Sequence, residues 1–273
     1  MNRMSYKITF FTFLFFFAIV NFSAQEKVNI DDVESRYVYL LKYQIDSLDK
    51  SSSSEEYFIL ERGKEKSQFM GVTSYNRDSL AGGANRFAFG LDPKSLPKTN
   101  FTFRVIKNFE KNNISYYDYI IKDNFIYEEK PDFNWKITGE TKEIGNLKCQ
   151  AALVTYAGRD YKAWFTNEIP VSDGPYKFYG LPGLIVEIED SKKQYTFELV
   201  SYKTFSEKPK MWISKKRVKG KTVKKSEFYK AFKNFHENFV SEIAKGGFSF
   251  DSGTERQIKD RIKKKNNPIE LAP

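Results

Sequence analysis

The sequence has very little cysteine and histidine, with one of each among its 273 residues. A single cysteine excludes an intrachain disulfide and a thiolate metal cluster, and a single histidine excludes metal sites built from several imidazoles. A Ser/His/Asp or Cys/His mechanism would have to use that one histidine, His236. We therefore expect no cofactor, and we favour a protein that is not an enzyme.

Long apolar runs are also scarce, and the one that occurs lies at the N-terminus. Residues 1–24 carry Arg3 and Lys7, no acidic residue, and an apolar stretch from Ile8 to Phe22 that ends before Ser23-Ala24. This order is typical of a secretory signal peptide, and the stretch is shorter than the roughly 20 residues of a membrane span. We predict cleavage after Ala24 and an exported chain of residues 25–273.

The body of the chain is a succession of short segments rich in Tyr, Phe, Val, Ile and Thr, separated by turn residues. Phe101–Val105 alternates apolar and polar residues, as expected for a strand with one buried face. Strands without helical patterns between them predict a mainly β fold, an antiparallel sheet that forms a sandwich or half-barrel. The predicted strands are 36–45, 57–60, 101–106, 115–121, 124–127, 151–156, 161–166, 184–189 and 194–202, with hairpins at 156–161 and 122–124.

Helices are predicted only near the C-terminus. Ser226 begins a Phe-rich amphipathic helix that continues to residue 245, and Thr254 opens a basic helix through Lys265. We expect the first helix to pack on the sheet. A half-barrel of this kind also suggests, by analogy of fold, a lipid-carrier-like groove, and whether a cavity lies between the sheet and the helix stays open. Residues 76–100 contain three glycines and predict a long irregular connection, whose role as a flap over the sheet stays open.

The excess of positive charge is confined to one region. Residues 203–273 carry 19 Lys and Arg against 8 Asp and Glu, whereas residues 25–202 carry 24 against 27. An exported chain without a binding motif argues against nucleic acid. The basic region is either a solvated face or a contact for an anionic partner: lipid, lipopolysaccharide or an envelope protein, with peripheral contact to a membrane.

One string of residues is distinctive, and it precedes a predicted strand. Pro182 and Gly183 predict a type II turn with Gly183 at positive φ. Leu184, Val186 and Ile188 would then share one face of the strand, because alternate residues point to opposite faces. The turn serves folding or forms a ligand-facing rim of the sheet. The string is Gly180, Leu181, Pro182, Gly183, Leu184 and Ile185.

This string resembles the signature of the GLPGLI family, exported proteins of Bacteroidetes-type Gram-negative bacteria. Asn267–Leu271 is similar to the frequent C-terminal ending of that family, whereas Phe165 stands where many relatives have Tyr. Other matching positions follow in the family's order: Trp135, Cys149, Gly158, Arg159, Trp164, Pro170, Gly174 and Pro175. The resemblance implies one β-rich domain over 25–273, with a basic helical region at about 203–273, located in the periplasm or on the outer surface. It implies no assigned activity.

Two groups of reactive side chains have a structural and a chemical interpretation. Cys149 lies in an alternating segment and is interpreted as a small core residue rather than a catalytic thiol. Asp173, Glu187, Glu189 and Asp190 would support a carboxylate-based hydrolase only if at least two of them met in one cleft; otherwise they are solvated strand charges.

These observations favour an exported cell-envelope protein without an evident catalytic site, which binds an apolar or anionic ligand or an envelope partner. A carboxylate-based hydrolase and a structural component of a surface or transport complex are the alternatives.

Overall fold

Twelve strands form one open sheet in the computed structural model, which describes residues 26–81, 97–245, 247 and 249–272. The order across the sheet is β14-β7-β6-β5-β4-β3-β2-β12-β11-β10-β9-β8, and neighbouring strands are antiparallel except for the parallel pair β14–β7. The strands are β1 Lys27–Asp32, β2 Ser35–Gln44, β3 Ser53–Arg62, β4 Lys66–Gly71, β5 Arg104–Asn108, β6 Asn113–Ile120, β7 Asp123–Glu129, β8 Lys136–Ile144, β9 Leu147–Tyr156, β10 Arg159–Thr166, β11 Leu184–Asp190, β12 Tyr195–Thr204, β13 Lys210–Ser214 and β14 Lys221–Thr222. β1 and β13 form a separate antiparallel pair.

The helices lie mainly in the C-terminal third. They are α1 Val72–Ala81, α2 Lys215–Val218, α3 Lys225–Glu237, α4 Phe239–Lys245 and α5 Ser252–Lys263, and a short 3-10 helix covers Lys50–Ser52. The predicted fold class, a mainly β protein with an antiparallel sheet and C-terminal helices, is confirmed. None of the described helices has the length and apolar character needed to cross a bilayer.

One face of the sheet carries the main hydrophobic core. In β2, alternate residues are buried, so that Tyr37, Tyr39, Leu41 and Tyr43 all point into this core. Phe58 of β3, Phe69 of β4 and Phe197 of β12 pack their rings against one another. Aromatic pairs of this kind bury large areas and add specific ring contacts, which explains the many Phe and Tyr residues of the sequence.

Aromatic rings pack at the contact between the sheet and the Phe-rich helix. Phe228 of α3 is buried and lies 5.7 Å from Tyr116 and 5.4 Å from Tyr127, measured between ring centroids. Tyr176 and Phe178, from the segment before β11, are also buried in this cluster. Phe228 thus joins α3 to the main hydrophobic core.

Several predicted boundaries are corrected by local contacts. The helix predicted over 226–245 is interrupted at Asn238, which separates α3 from α4, and α5 begins at Ser252 because the Asp251 side chain caps it. Residues 76–81 of the predicted irregular connection belong to α1, and residues 82–96 lie outside the described part of the chain.

The basic C-terminal third contacts the acidic body through ion pairs. Lys208 pairs with Glu34, Lys210 with Asp32, Lys215 with Glu26, Arg217 with Asp78 and Lys225 with Glu129. Part of the positive charge is therefore neutralised inside the molecule. The sequence could not show this, because the partners are far apart along the chain.

Candidate functional site

Four of the six residues in the string at 180–185 are buried, whereas Gly180 and Pro182 are exposed. Leu181, Leu184 and Ile185 are each at most 1% exposed and belong to the main hydrophobic cluster. Gly180 has a φ of 98°, whereas Gly183 does not lie in the left-handed region. The predicted positive φ at Gly183 is therefore wrong. Glycine is required there because a Cβ would overlap the Thr166 carbonyl oxygen.

The strand that follows departs from simple alternation. A β-bulge between Trp164 and Phe165 shifts the register opposite Val186. Ile185 and Ile188 consequently both face the main core, whereas Val186 packs with Trp164 on the other face. The predicted grouping of Leu184, Val186 and Ile188 on one face is wrong at Val186.

The candidate hydrolase carboxylates are held by separate cations. Asp173 is fully buried, 2.7 Å from Lys107 Nζ and 3.1 Å from Arg62 Nη1. Asp190 is buried and lies 3.0 Å from an Arg159 nitrogen. These two carboxylates neutralise buried cations, which is a structural role.

The other two candidate carboxylates lie on a partly exposed face of β11. Glu187 pairs with Lys142 at 2.8 Å, and Glu189, opposite Lys162 on β10, is half-buried. This arrangement agrees with strand charges rather than with a cleft.

A buried ion network links the segment before β11 to the C-terminus. The Lys177 ammonium is fully buried and contacts the Glu270 carboxylate at 2.5 Å, together with Glu129 and the Tyr127 hydroxyl. Lys225 Nζ lies 2.9 Å from the second Glu270 oxygen. Burial alone would raise the pKa of Glu270, but Lys177 and Lys225 outweigh it and hold that pKa at about 2.

Arg159 binds the segment that ends the chain. Its guanidinium donates to the Asn267 side-chain oxygen at 2.6 Å, to the Pro268 carbonyl at 2.7 Å and to the Ile269 carbonyl at 3.1 Å. Gly158, at a φ of 81°, lets this segment approach, because a Cβ there would lie 3.1 Å from Leu271 Cβ. Gly158, Arg159 and residues 267–271, which all match the family pattern in the sequence, therefore lie next to one another in the structure.

A cavity of about 1190 Å³ lies between α3–α4 on one side and α5 with the C-terminal segment 265–271 on the other. We call it the helical cavity. Its volume is slightly above the roughly 300–1,000 Å³ of small-molecule pockets. The apolar side chains that line it are Phe232, Phe239, Val240, Ala244, Ile262, Pro268 and Leu271.

The rim of the helical cavity carries more positive than negative charge. Lys233 and Lys259 have acidic neighbours, Glu237 at 3.8 Å and Glu255 at 3.5 Å. In the described part of the chain, Lys263 and Lys265 have no carboxylate within 4 Å of their ammonium groups. Lys265 donates to the Asn100 side-chain oxygen at 2.9 Å instead.

The single histidine lines this cavity. The His236 ring lies 4.4 Å from the Phe232 ring and is half-buried. Burial lowers the pKa of the His236 imidazole, and the nearby Lys265 ammonium lowers it further. His236 is therefore neutral at neutral pH. The lysines in the cavity lining outnumber the glutamates, so the site has a net positive charge.

The remaining positions noted from the sequence are structural neighbours of the core. Cys149 is a free buried thiol beside Ala151, Trp164 and Val186, and burial raises the pKa of the thiol to about 11. Trp135 donates its indole N–H to the Tyr179 carbonyl at 2.8 Å, next to Gly180.

The glycines and prolines around this segment differ in exposure. A Cβ on Gly174 would meet Ile185 at 2.8 Å; Pro175 is buried, and Pro170 is exposed. Neither these positions nor residues 180–185 line the helical cavity. The apolar positions of the Phe-rich helix, which include Phe232 and Phe239, are the sequence signal nearest to this cavity, and they predict only a helix packed on the sheet.

Among the described residues, no cluster of three or more His, Cys, Asp or Glu side chains could hold a metal ion.

Comparison with known proteins gives one family match, to a family described as "Protein of unknown function (Porph_ging)", over residues 157–187. This span contains Gly158, Arg159 and the string at 180–185. Among curated proteins, no relative matches the chain.

Two structures of PNGF-II, in the P21 and C2 space groups, resemble the chain with a TM-score of 0.47 each and sequence identities of 14% and 16%. In both cases the match covers 71% of this chain, which spans 31% of the length of PNGF-II. Likeness at that level says nothing of what this chain does.

Proposed function

We propose that this is an exported cell-envelope protein that binds a single-chain anionic lipid in the helical cavity. Export is the expectation from residues 1–24, and an envelope location follows from it and from the resemblance to the GLPGLI family. The observation that carries the proposal is the combination of apolar walls with lysines that lack acidic partners.

The lining favours an apolar chain over a polar ligand. Phe232 and Phe239 from α3 and α4 oppose Ile262 of α5 across the cavity. Burying apolar surface contributes roughly 25 cal/mol per Å², so that a hydrocarbon chain that covers these side chains is stabilised. Without a ligand in the helical cavity, these apolar side chains would be in contact with water.

The charge on the rim favours an anionic head group. Lys263 and Lys265 would pair with a carboxylate or phosphate, which is a stronger hydrogen-bond acceptor than a neutral oxygen. A phosphate or carboxylate without an apolar chain would leave the walls uncovered, so we expect the chain and the head group both to be needed.

A titration calorimetry experiment with decanoate tests this proposal. The exported chain is purified without detergent, and Ser241→Trp, on the cavity wall in α4, is compared with Ser226→Trp, an exposed position on α3 outside the cavity. We expect one decanoate per chain in the parent protein and in Ser226→Trp. We expect at least about tenfold weaker binding in Ser241→Trp, because the indole fills the site. Absence of binding in the parent protein, or equal binding in all three, would overturn the proposal.

A further inference from the structure

We infer that the anionic head group of the ligand is bound at the end of the helical cavity formed by His236 and Lys265, with the apolar chain directed toward Tyr229 and Leu271. This inference rests on the proposed function and specifies which residues recognise the ligand. It also implies that binding of the anion is coupled to the charge of the single histidine.

The two ends of the helical cavity differ in the charged side chains that a ligand would meet. Tyr229 and His236 are seven residues apart on α3, which corresponds to about 10 Å along the helix axis. Near Tyr229 lies the Glu270 carboxylate, whose negative charge is already shared by Lys177 and Lys225. Lys177 and Lys225 are each paired with both Glu129 and Glu270, so a second carboxylate at that end would meet Glu270 without either lysine free to bind it.

At the other end, no described carboxylate lies within 4 Å of the Lys263 or Lys265 ammonium group; Glu237, next to His236, is paired with Lys233, and Glu56 attracts Lys265 from a greater distance. His236 and Lys265 both line the cavity, and the Lys265 ammonium adds to the effect of burial in lowering the pKa of the imidazole. Burial also lowers the pKa of the Lys265 ammonium, and Arg261 adds to this effect. A bound anion would relieve both unfavourable interactions.

Charged groups face the cavity around His236 from α3, α5 and the C-terminal segment, and Glu56 and Arg261 act on Lys265 from outside the lining. From α3 these are Lys233 and Glu237, which neighbour each other, and from α5 they are Glu255, Lys259 and Lys263. α4 contributes no titratable side chain to the lining, and the C-terminal segment contributes Lys265 and Glu270. Two of the three acids thus have a lysine as neighbour within the lining, and Glu270 is held by Lys177 and Lys225 from outside it.

Protonation of His236 would add a further cation where the head group is bound. An anion at this end favours the imidazolium form, so the complex takes up a proton that the free protein lacks at neutral pH. The affinity for an anionic lipid should therefore rise as the pH falls through the range where His236 titrates. The affinity for an uncharged lipid should not depend on this proton.

Proton NMR of the imidazole tests the inference directly, because the chain has one histidine and its ring signals need no assignment. The ring signals of His236 are followed as a function of pH in three samples: the exported chain alone, the chain with decanoate and the chain with decanol. We expect decanoate to raise the pKa of His236 and decanol to leave it unchanged. We also expect decanoate to bind about tenfold more tightly at about pH 5.5 than at about pH 8, a difference that His236→Phe abolishes.

A pair of lysine variants separates recognition from general electrostatics. Lys265→Gln should weaken decanoate binding by about tenfold, because one charge-assisted hydrogen bond is lost. Lys264→Gln, an exposed neighbour outside the cavity lining, should leave it unchanged. Decanoate binding that neither shifts the pKa of His236 nor responds to Lys265→Gln would overturn the head-group assignment and leave the proposed function standing. Failure of both decanoate and decanol to bind would overturn both.

Discussion

Arg159 and Asn267, which are 108 residues apart in the sequence, are joined by a hydrogen bond of 2.6 Å from the guanidinium to the amide oxygen. The same guanidinium binds the buried Asp190 carboxylate at 3.0 Å. Arg159, the first residue of β10, therefore holds residues 267–269 against the sheet. Because residues 265–271 form one wall of the helical cavity, this contact also shapes the candidate site.

The first prediction concerns this contact. Arg159→Lys keeps the charge but cannot reach Asp190, Asn267 and the Pro268 carbonyl together, and it leaves buried acceptors without donors. We expect the free energy of unfolding to fall by about 2–4 kcal/mol, and residues 266–272 to become accessible to carboxypeptidase. Urea denaturation and timed proteolysis measure the two effects. Arg256→Lys, on the exposed face of α5, is the matched control and should change neither.

A second prediction compares two glycines. Gly183→Ala would place a Cβ against the Thr166 carbonyl oxygen, which belongs to the backbone and cannot move aside cheaply. We expect a loss of about 3 kcal/mol or more in the free energy of unfolding. Gly139→Ala, in the edge strand β8, meets nothing within 4 Å and should cost less than about 1 kcal/mol. Equal losses in the two variants would contradict the packing role assigned to Gly183.

The third prediction concerns acid stability. The pKa of Glu270 is about 2 in the folded protein, below its ordinary value of 4.5, because Lys177 and Lys225 outweigh the effect of burial. A carboxyl with a depressed pKa stabilises the fold above its unfolded pKa, and this stabilisation is lost as the pH falls from 4.5 toward 2. It amounts to roughly 3 kcal/mol at neutral pH.

Chemical denaturation between pH 7 and the acid range measures this contribution. In Glu270→Gln, the slope of unfolding free energy against pH should be shallower below pH 4.5 than in the parent protein. Glu207→Gln, at an exposed position, serves as the control and should retain the parent slope. A parent slope that persists in Glu270→Gln would show that other carboxyls carry the acid sensitivity.

The fourth prediction concerns the single thiol. Because burial raises the pKa of Cys149 to about 11, almost none of it is thiolate near pH 8 in the folded protein. We expect Cys149 to react with a disulfide reagent at least about a hundredfold more slowly in buffer than in denaturant. A fast reaction in buffer would place the thiol at the surface and contradict its packing with Trp164 and Val186.

The sequence allowed the sheet to be predicted where one face of a strand is clearly apolar. β2 and β6 alternate almost perfectly between buried and partly exposed residues, and the hairpin at 156–161 turns at Ala157 and Gly158, both at positive φ. The sequence does not predict β8, because it is the edge strand, six of its nine residues are exposed, and it carries a register shift around Gly139. Taken alone, the residue pattern of β8 resembles that of a loop, and only the pairing with β9 shows that it is a strand.

The candidate site depended on contacts that sequence patterns do not encode. Lys177 is polar, yet it is fully buried because Glu129 and Glu270, from distant parts of the chain, neutralise it. The amphipathic pattern of α3 predicts one apolar face. In the structure, Phe228 of that face packs on the sheet, whereas Phe232 lines the helical cavity. The placement of α5 opposite α3 is a long-range arrangement, so the cavity between them appears only in three dimensions.

The measurement that tests the central claim most directly is a crystal structure with 10-bromodecanoate, in which the anomalous signal of bromine locates the end of the apolar chain. The proposed function and the head-group assignment together predict bromine in the helical cavity, near Tyr229 and Leu271, with the carboxylate beside His236 and Lys265. Bromine that lies outside this cavity, or no bromine at a saturating concentration of the lipid, would contradict the proposed function.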